Sequence, residues 1–411
     1  MSVILDVPNP HKSGSIFRLP PFRFFGAGPT NCSPSVLYTQ TFQPMTAFSR
    51  NYFELNEDIK KMVKYVFQTN NPMTFLGQFS GNGGNEAMIT NLADPGDTVI
   101  VASLGIWGTK VADMGRRYDL NVIELTLPAG EVYTFEELEE QIVKHKAVAL
   151  FVTQGESSGG VLQPLEGLAD ICHKYNCLLS VDAVVTVGVV PLLVDRWKLD
   201  AVNGGTQKGL GAPPGMVLLS FSPRAHERML KKKHRTPYIF DMLIHAEVWK
   251  CFETSLPSYI YTYNTSFLAT IRQALVEVCE EGLENVWRRH QECSDLFTKK
   301  IEKLGMRHFI EKPENRFCGV NCVTVPKEVD WQELCDYLLT KHEIELGMGI
   351  GPTLEKALRI GFLAQNAKPD LVEFVVSALE DGINYCRSRK GAFNSSNSRY
   401  EFYLTKNKYE K

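Results

Sequence analysis

The sequence predicts an α/β protein in which a large domain, built on a mostly parallel sheet covered by helices, precedes a smaller C-terminal α+β domain. Three observations predict it. The chain has 411 residues, more than a single core of ~250–300 residues accommodates. From about residue 98 to residue 215, short apolar runs alternate with amphipathic stretches, the pattern of strand–helix–strand units and hence of parallel pairing. After Gly282 that alternation stops, and a long helical stretch leads into a shorter mixture of strands and helices.

In chain order, residues 1–22 read as an N-terminal arm and residues 23–281 as the large domain. Within it the runs 98–102, 122–125, 147–152 and 178–181 are strands, apolar enough for burial on both faces. Residues 134–144 form a helix with Phe135, Leu138 and Ile142 on one face, and residues 167–175 form another. The small domain, 282–389, carries a strand at 318–325 and a helix opened by Asp330-Trp331. A glycine-rich turn at 347–351, a strand near 358–360 and a closing helix complete it. Residues 390–411 are polar and rich in Ser and Asn, as a loosely held tail is.

A composition of 44% hydrophobic and 22% charged residues is that of an ordinary soluble globular protein. The formal net charge of −3 argues against nucleic acid or an anionic membrane as the main partner. One dense basic run, Lys231-Lys232-Lys233-His234-Arg235, reads as a solvated helix end. No apolar stretch approaches the ~20 residues that span a bilayer. The first residues lack the pattern of a secretory signal, and the last are not a Ser-Lys-Leu peroxisomal address. The expected location is the cytoplasm or an organelle (peroxisome or mitochondrion). The ten cysteines are scattered, without a C-x-x-C pair, and read as reduced, mostly buried thiols; no metal is expected.

Three segments carry the chemistry. In Ser80-Gly81-Asn82-Gly83-Gly84-Asn85, small residues precede a helix at 86–92, so backbone N–H groups and the helix dipole can meet a phosphate. Alone this is an ordinary turn; it is neither a P-loop nor a G-x-G-x-x-G turn. In Leu178-Leu179-Ser180-Val181-Asp182-Ala183, a carboxylate ends an apolar strand, where it needs a cation or hydrogen-bond donors; alone it reads as a helix cap. In the third segment Lys208 stands without another charged residue between Ala201 and Leu219, which suggests a partly buried amine. Burial lowers a lysine's pKa and frees it for imine formation. Together the three supply what pyridoxal 5'-phosphate (PLP) requires: an imine lysine, a carboxylate for the pyridine nitrogen and a cradle for the phosphate. Asp182 and Lys208 are 26 residues apart (208 − 182), room for one strand–helix–strand step between neighbouring strand ends.

A resemblance sharpens this. Gly26-Ala27-Gly28-Pro29-Thr30-Asn31, Gly105-Ile106-Trp107-Gly108, Gly155-Glu156-Ser157-Ser158-Gly159, Leu162-Gln163-Pro164-Leu165, Gln207-Lys208 with Ala212-Pro213-Pro214-Gly215, and Arg359-Ile360-Gly361 resemble the alanine–glyoxylate/serine–pyruvate aminotransferase family. That family, class V of the PLP-dependent aminotransferases with fold type I, includes the 3-hydroxykynurenine transaminases. The likeness runs collinearly from about residue 24 to residue 386.

The resemblance implies transfer of an amino group from alanine or serine to glyoxylate or pyruvate by a ping-pong mechanism. It implies Lys208 as the imine lysine and Asp182 as partner of the pyridine nitrogen. Trp107 would stack on the ring, and Ser157 would contact ring substituents. Ser80, Gly81, Asn82 and Gln207 would hold the phosphate, joined by Tyr259 and Thr262 from the other subunit of a homodimer. Arg359 would grip the substrate carboxylate with its bidentate fork, helped by Asn31 and Gly28.

Five positions depart from the family's pattern. Gly-Ala-Gly-Pro-Thr-Asn replaces Gly-Pro-Gly-Pro-Ser-Asn, and Asn82, Gln154 and Phe48 stand where histidines are common. They bear on the choice of donor and acceptor, with 3-hydroxykynurenine as an alternative donor. A cysteine desulfurase or lyase would share the fold and would need a mobile catalytic cysteine, for which Cys318 or Cys322 is available; Gln207 stands where such enzymes typically carry His.

Overall fold

A computed structural model describes residues 17, 19–252 and 258–389. Most of the N-terminal arm, all of the tail at 390–411, and part of the 249–257 segment preceding Tyr259 lie outside these residues.

Fourteen strands are present among the described residues. In chain order they are β1 (Arg23–Phe25), β2 (Met73–Gly77), β3 (Thr98–Ser103), β4 (Asn121–Thr126), β5 (Ala149–Thr153), β6 (Gly155–Glu156) and β7 (Val161–Leu162). They continue with β8 (Leu178–Asp182), β9 (Ala201–Gly205), β10 (Val217–Phe221), β11 (Arg307–His308), β12 (Val320–Thr324), β13 (Ile344–Met348) and β14 (Leu358–Gly361).

The large sheet has the order β2-β10-β9-β8-β5-β3-β4. From β4 to β9 every pairing is parallel, as strands joined by helical crossovers must be. β10 runs antiparallel to both β9 and β2. The reversal follows from the chain: eleven residues separate β9 from β10 (217 − 205 − 1), enough for a tight return and too few for a crossover helix. Strands β2, β5, β8, β9 and β10 are buried at every position, which is why β5 and β8 read as largely apolar runs.

Helix Phe135–His145 starts at a capping box, Thr134 accepting from the Glu137 amide while the Glu137 carboxylate accepts from the Thr134 amide. The expected helix at 167–175 is found at Leu168–Lys174. The helix expected from residue 86 begins five residues earlier, at Gly81, because Ser80 caps it by accepting from the Gly83 amide. The Gly/Asn cluster is therefore the first turn of a helix.

The connection from β8 to β9 corrects the expectation of a helix between Asp182 and Lys208. Residues 183–200 are turns, bends and irregular chain, without a helix or strand. The run Val184-Val185-Thr186-Val187 is poor helix-forming sequence, Gly188 has φ +71°, and Pro191 follows. Val185, Val187, Val189 and Leu192 are buried, so the segment packs as a core-lining strap.

The basic run is corrected too. Lys231 caps helix Pro223–Leu230, but Lys232 is turned inward, with only 7% of its side chain exposed, and donates to Ala93 O (2.5 Å) and Asp94 Oδ1 (3.1 Å). Burial pushes the Asp94 carboxyl up, but amides of Lys233 and His234 and the Lys232 amine outweigh it and hold it at about 2.

Helices Thr265–Glu281 and Leu283–Ile301 meet at Gly282 (φ +80°). Beyond it stands the second sheet, β1-β13-β14-β12-β11, with its own apolar cluster centred on Phe297, Leu338, Ile360, Phe362 and Leu379. Residues 23–25, inside the span expected for the large domain, are the edge strand β1 of this sheet, paired in parallel with β13. The chain thus passes from the second sheet directly across the mouth of the first. All ten cysteines are unpaired, and seven of them are buried. No helix among the described residues is long and apolar enough to cross a membrane.

Candidate active site

A cavity of about 180 Å³ opens at the carboxyl ends of β5, β8 and β9, where open α/β sheets bind ligands. Its lining includes Ser80, Gly81, Asn82, Trp107, Ser157, Asp182, Gln207 and Lys208, residues drawn from five separate stretches of the chain.

Lys208 sits in the return from β9 to β10. That loop is pinned by Ala212 N donating to Thr206 O (3.0 Å), and by Thr206 Oγ1 donating to Pro213 O (2.8 Å) and Met216 O (3.1 Å). Gln207 O accepts from Thr30 N (3.0 Å), tying the loop to the segment that follows β1. Lys208 Nζ donates to Ala27 O in the same segment. Gly28, at φ +93°, has to be glycine here: a Cβ would lie 2.5 Å from Lys208 Cδ. Burial, joined by the nearby Arg359 charge and opposed by Asp182, lowers the amine to about 8.

Asp182 ends β8 and is 9% exposed. Oδ1 accepts from Val184 N (2.9 Å) and Oδ2 from Asn85 Nδ2 (2.7 Å). Burial raises its pKa, opposed by those two donors and by Lys208. Each oxygen has one donor, which leaves acceptor capacity toward the cavity it lines.

Trp107 lies in the first turn of helix Ile106–Arg117, and its indole Nε1 donates to Ser157 Oγ (2.8 Å). Lys110 Nζ sits 4.9 Å from the ring centroid. Sequence reading assigned nothing to Glu156, yet it organises this wall. Fully buried, it accepts from Trp107 N (3.2 Å), Ser158 N (2.9 Å) and Ser158 Oγ (2.6 Å). Burial pushes it up to about 7, against those hydrogen bonds. The signal was available: a lone carboxylate in the uncharged run Val152–Pro164 needs buried donors as much as Asp182 does.

Arg359, on β14, reaches the same wall from the second sheet. Its Nε donates to Met348 O (2.6 Å), and Nη1 lies 3.4 Å from Ser157 O. It is outside the cavity lining but close enough to depress Lys208. Asn31 is turned away, its Nδ2 donating to Asn366 Oδ1 (2.7 Å) and Phe24 O (3.3 Å). Tyr259, 48% exposed, and exposed Thr262 stand outside the lining of this chain's cavity, their hydroxyls 2.5 Å apart. Phe48 stacks on Tyr259 at 6.1 Å, also exposed. Gln154 is buried outside the cavity lining, accepting from Thr186 Oγ1 (2.5 Å) and donating to Pro191 O (3.1 Å).

An amine of lowered pKa facing a buried carboxylate, with a helix N-terminus beside them, can form an imine and move a proton. A family model described as aminotransferase class-V matches residues 35–374. The chain belongs to that family. The class-V assignment agrees with its relatives. An alanine–glyoxylate aminotransferase of Rattus norvegicus is 36% identical over 387 residues, covering 94% of this chain and 93% of its own. Among solved structures, an alanine–glyoxylate aminotransferase from Nostoc sp. superposes with a TM-score of 0.87 at 31% identity, covering 90% of this chain and 97% of its own. A ureidoglycine–glyoxylate aminotransferase from Bacillus subtilis does so at 0.86 and 27%, covering 94% and 99%. This chain is thus an enzyme of the aminotransferase class, acting on small molecules.

Proposed function

We propose that this class-V aminotransferase uses PLP to move an amino group from a small amino acid, alanine or serine, to glyoxylate or pyruvate in two half-reactions. The observation that carries the reading is the single cavity that gathers Lys208, Asp182 and the start of helix Gly81–Leu92, with Arg359 at its edge. These residues fit the cofactor: an amine near pKa 8 for the aldehyde, a carboxylate with acceptor capacity for the ring nitrogen, and capped helix amides for the phosphate. When bound, PLP supplies an electron-withdrawing ring that acidifies the substrate's Cα–H and stores the amino group between half-reactions. Lys208 moves the proton, Trp107 and Ser157 flank the ring, and Ser80, Gly81, Asn82 and Gln207 hold the phosphate.

Purified enzyme assayed against a panel of donors and acceptors tests the proposal. Alanine or serine with glyoxylate or pyruvate should give the highest kcat/KM, and reciprocal plots should be parallel. A preference for 3-hydroxykynurenine as donor, or intersecting plots, would overturn it. Sulfide release from cysteine is not expected. Cys318 and Cys322 are buried, and burial raises both thiols to about 12, whereas a desulfurase cysteine must be mobile and ionisable.

Arg359 binds the carboxylate that all donors and acceptors share. Arg359→Lys should raise KM for amino acids and oxo acids alike by about tenfold or more, since one point contact replaces two charge-assisted bonds. PLP affinity should stay near the parent value. A variant that loses the cofactor but keeps substrate KM would move Arg359 out of the substrate site.

The enzyme acts as a homodimer in which Tyr259 and Thr262 reach the phosphate of the neighbouring subunit. The support is their exposure beside Phe48 and their position outside this chain's own cavity lining. Mixing a Tyr259→Phe/Thr262→Ala variant with Lys208→Ala should restore part of the activity, because one heterodimer site keeps Lys208 and receives intact hydroxyls. No recovery after verified subunit exchange would refute the shared site.

A further inference from the structure

Two buried amides stand behind Asp182. Asn85, in helix Gly81–Leu92, is 2% exposed, and Asn203, in β9, is fully buried. Asn203 is the register partner of Asp182 across the β8–β9 pair. Asn85 Nδ2 donates to Asp182 Oδ2 (2.7 Å), and Asn203 Nδ2 donates to Asn85 Oδ1 (3.2 Å) and to Gly81 O (2.8 Å). Asn203 Oδ1 is buried with no hydrogen-bond partner among the described residues. It lies 2.3 Å from where a Cβ on Gly84 would stand, so the helix backbone can approach β9 this closely only at glycine.

Burying amides is costly unless their hydrogen bonds are recovered, and one acceptor here is not. The arrangement is explained by what it holds. An amide has one donating and one accepting end, so Asn85 could equally turn its oxygen toward Asp182, where two acceptors would repel. The donor from Asn203 occupies Asn85 Oδ1 and fixes the orientation in which N–H meets carboxylate. The second N–H of Asn203 holds the Gly81 carbonyl, in the first turn of the helix whose amides face the phosphate position.

We propose that Asn85 and Asn203 are positioning residues that keep Asp182 ionised and aimed at the ring nitrogen of the cofactor, and that join this contact to the phosphate cradle. The proposal rests on the reading of Asp182 as the ring-nitrogen partner. A hydrogen bond donated to the charged carboxylate favours the ionised form, against the burial that opposes it.

The test compares the dissociation constants of PLP and of its analogue with carbon in place of the ring nitrogen, measured on apoenzyme by quenching of tryptophan fluorescence. The parent should bind PLP more tightly than the analogue. Asn85→Leu, similar in size but without a donor, should weaken PLP by about tenfold or more, the worth of a hydrogen bond to a charged group, and leave the analogue within about twofold. Asn203→Ser, a milder change away from the cavity wall, should shift PLP in the same direction by a smaller factor and keeps the test open if Asn85→Leu does not fold. Equal losses on both cofactors, or no loss on either, would overturn the proposal, provided that Asp182→Asn still abolishes discrimination between them. If Asp182→Asn discriminates as the parent does, the reading of Asp182 fails instead.

Discussion

Lys208→Ala should leave a folded protein that neither binds PLP covalently nor turns over. Two contributions vanish together, the covalent linkage and the proton transfer. A positioned acid–base group alone is worth about 10²–10⁴-fold, so kcat should fall by at least about 10⁴-fold. Folding should survive, because the return from β9 to β10 is pinned by a backbone bond and Thr206, and the ammonium donates to the Ala27 carbonyl, its one acceptor among the described residues. The parent offers a second readout. With its amine at about 8, roughly a tenth of the apoenzyme carries neutral Lys208 at pH 7, against about 0.03% for an unperturbed lysine. The rate of cofactor attachment should therefore rise as pH climbs toward 8 and level off above it. Borohydride reduction followed by peptide mapping should place the trapped cofactor on Lys208. Recovery on another lysine would remove the assignment.

The sequence made the large sheet legible where one element sufficed to define itself. Runs such as Leu178–Asp182 are buried at every position and largely apolar because helices cover both faces, and Thr134 with Glu137 announces a helix start locally. The site residues could be picked out because Lys208 and Asp182 are charges in apolar company, which is itself a local anomaly. What stayed hidden depends on distant partners. Nothing near residue 24 shows that it will pair with Glu345, some 320 positions away, and so carry Gly28 past Lys208. The 183–200 strap had the length of a helical crossover, and only its β-branched run and Gly188 spoke against one. Asn85 looked like a turn residue, and Asn203 drew no reading, because an amide declares no role until its partner is placed. Lys232 read as solvated because the carboxylate it meets, Asp94, belongs to a different element.

Asp182→Asn should separate folding from catalysis at one atom pair. The carboxylate is buried in the cavity wall, and burial raises its pKa despite the donors from Asn85 and Val184. A raised carboxyl favours the protonated form in the folded state, so its contribution to stability is present below the unfolded pKa and is lost as pH rises through the folded one. At neutral pH, above the unfolded carboxyl's pKa, that contribution has been lost wholly or in part, and Asp182→Asn apoenzyme should melt no lower than the parent. The gap should close on acidification. With PLP bound the comparison reverses, because a protonated ring nitrogen would have lost the anion that holds its proton. Removing one partner of a buried ion pair costs about 3–5 kcal/mol, which corresponds to at least about 10²-fold in the half-reaction with an amino donor. An amide in this position would also set an NH2 group against either the Asn85 or the Val184 donor, so the ring contact is lost together with the charge. Single-turnover absorbance measurements give the rate, and thermal unfolding of apoenzyme and holoenzyme across pH gives the stability. A half-reaction within a few-fold of the parent would show that Asp182 does not serve the ring, and an apoenzyme destabilised at neutral pH would show that its charge is needed for the fold.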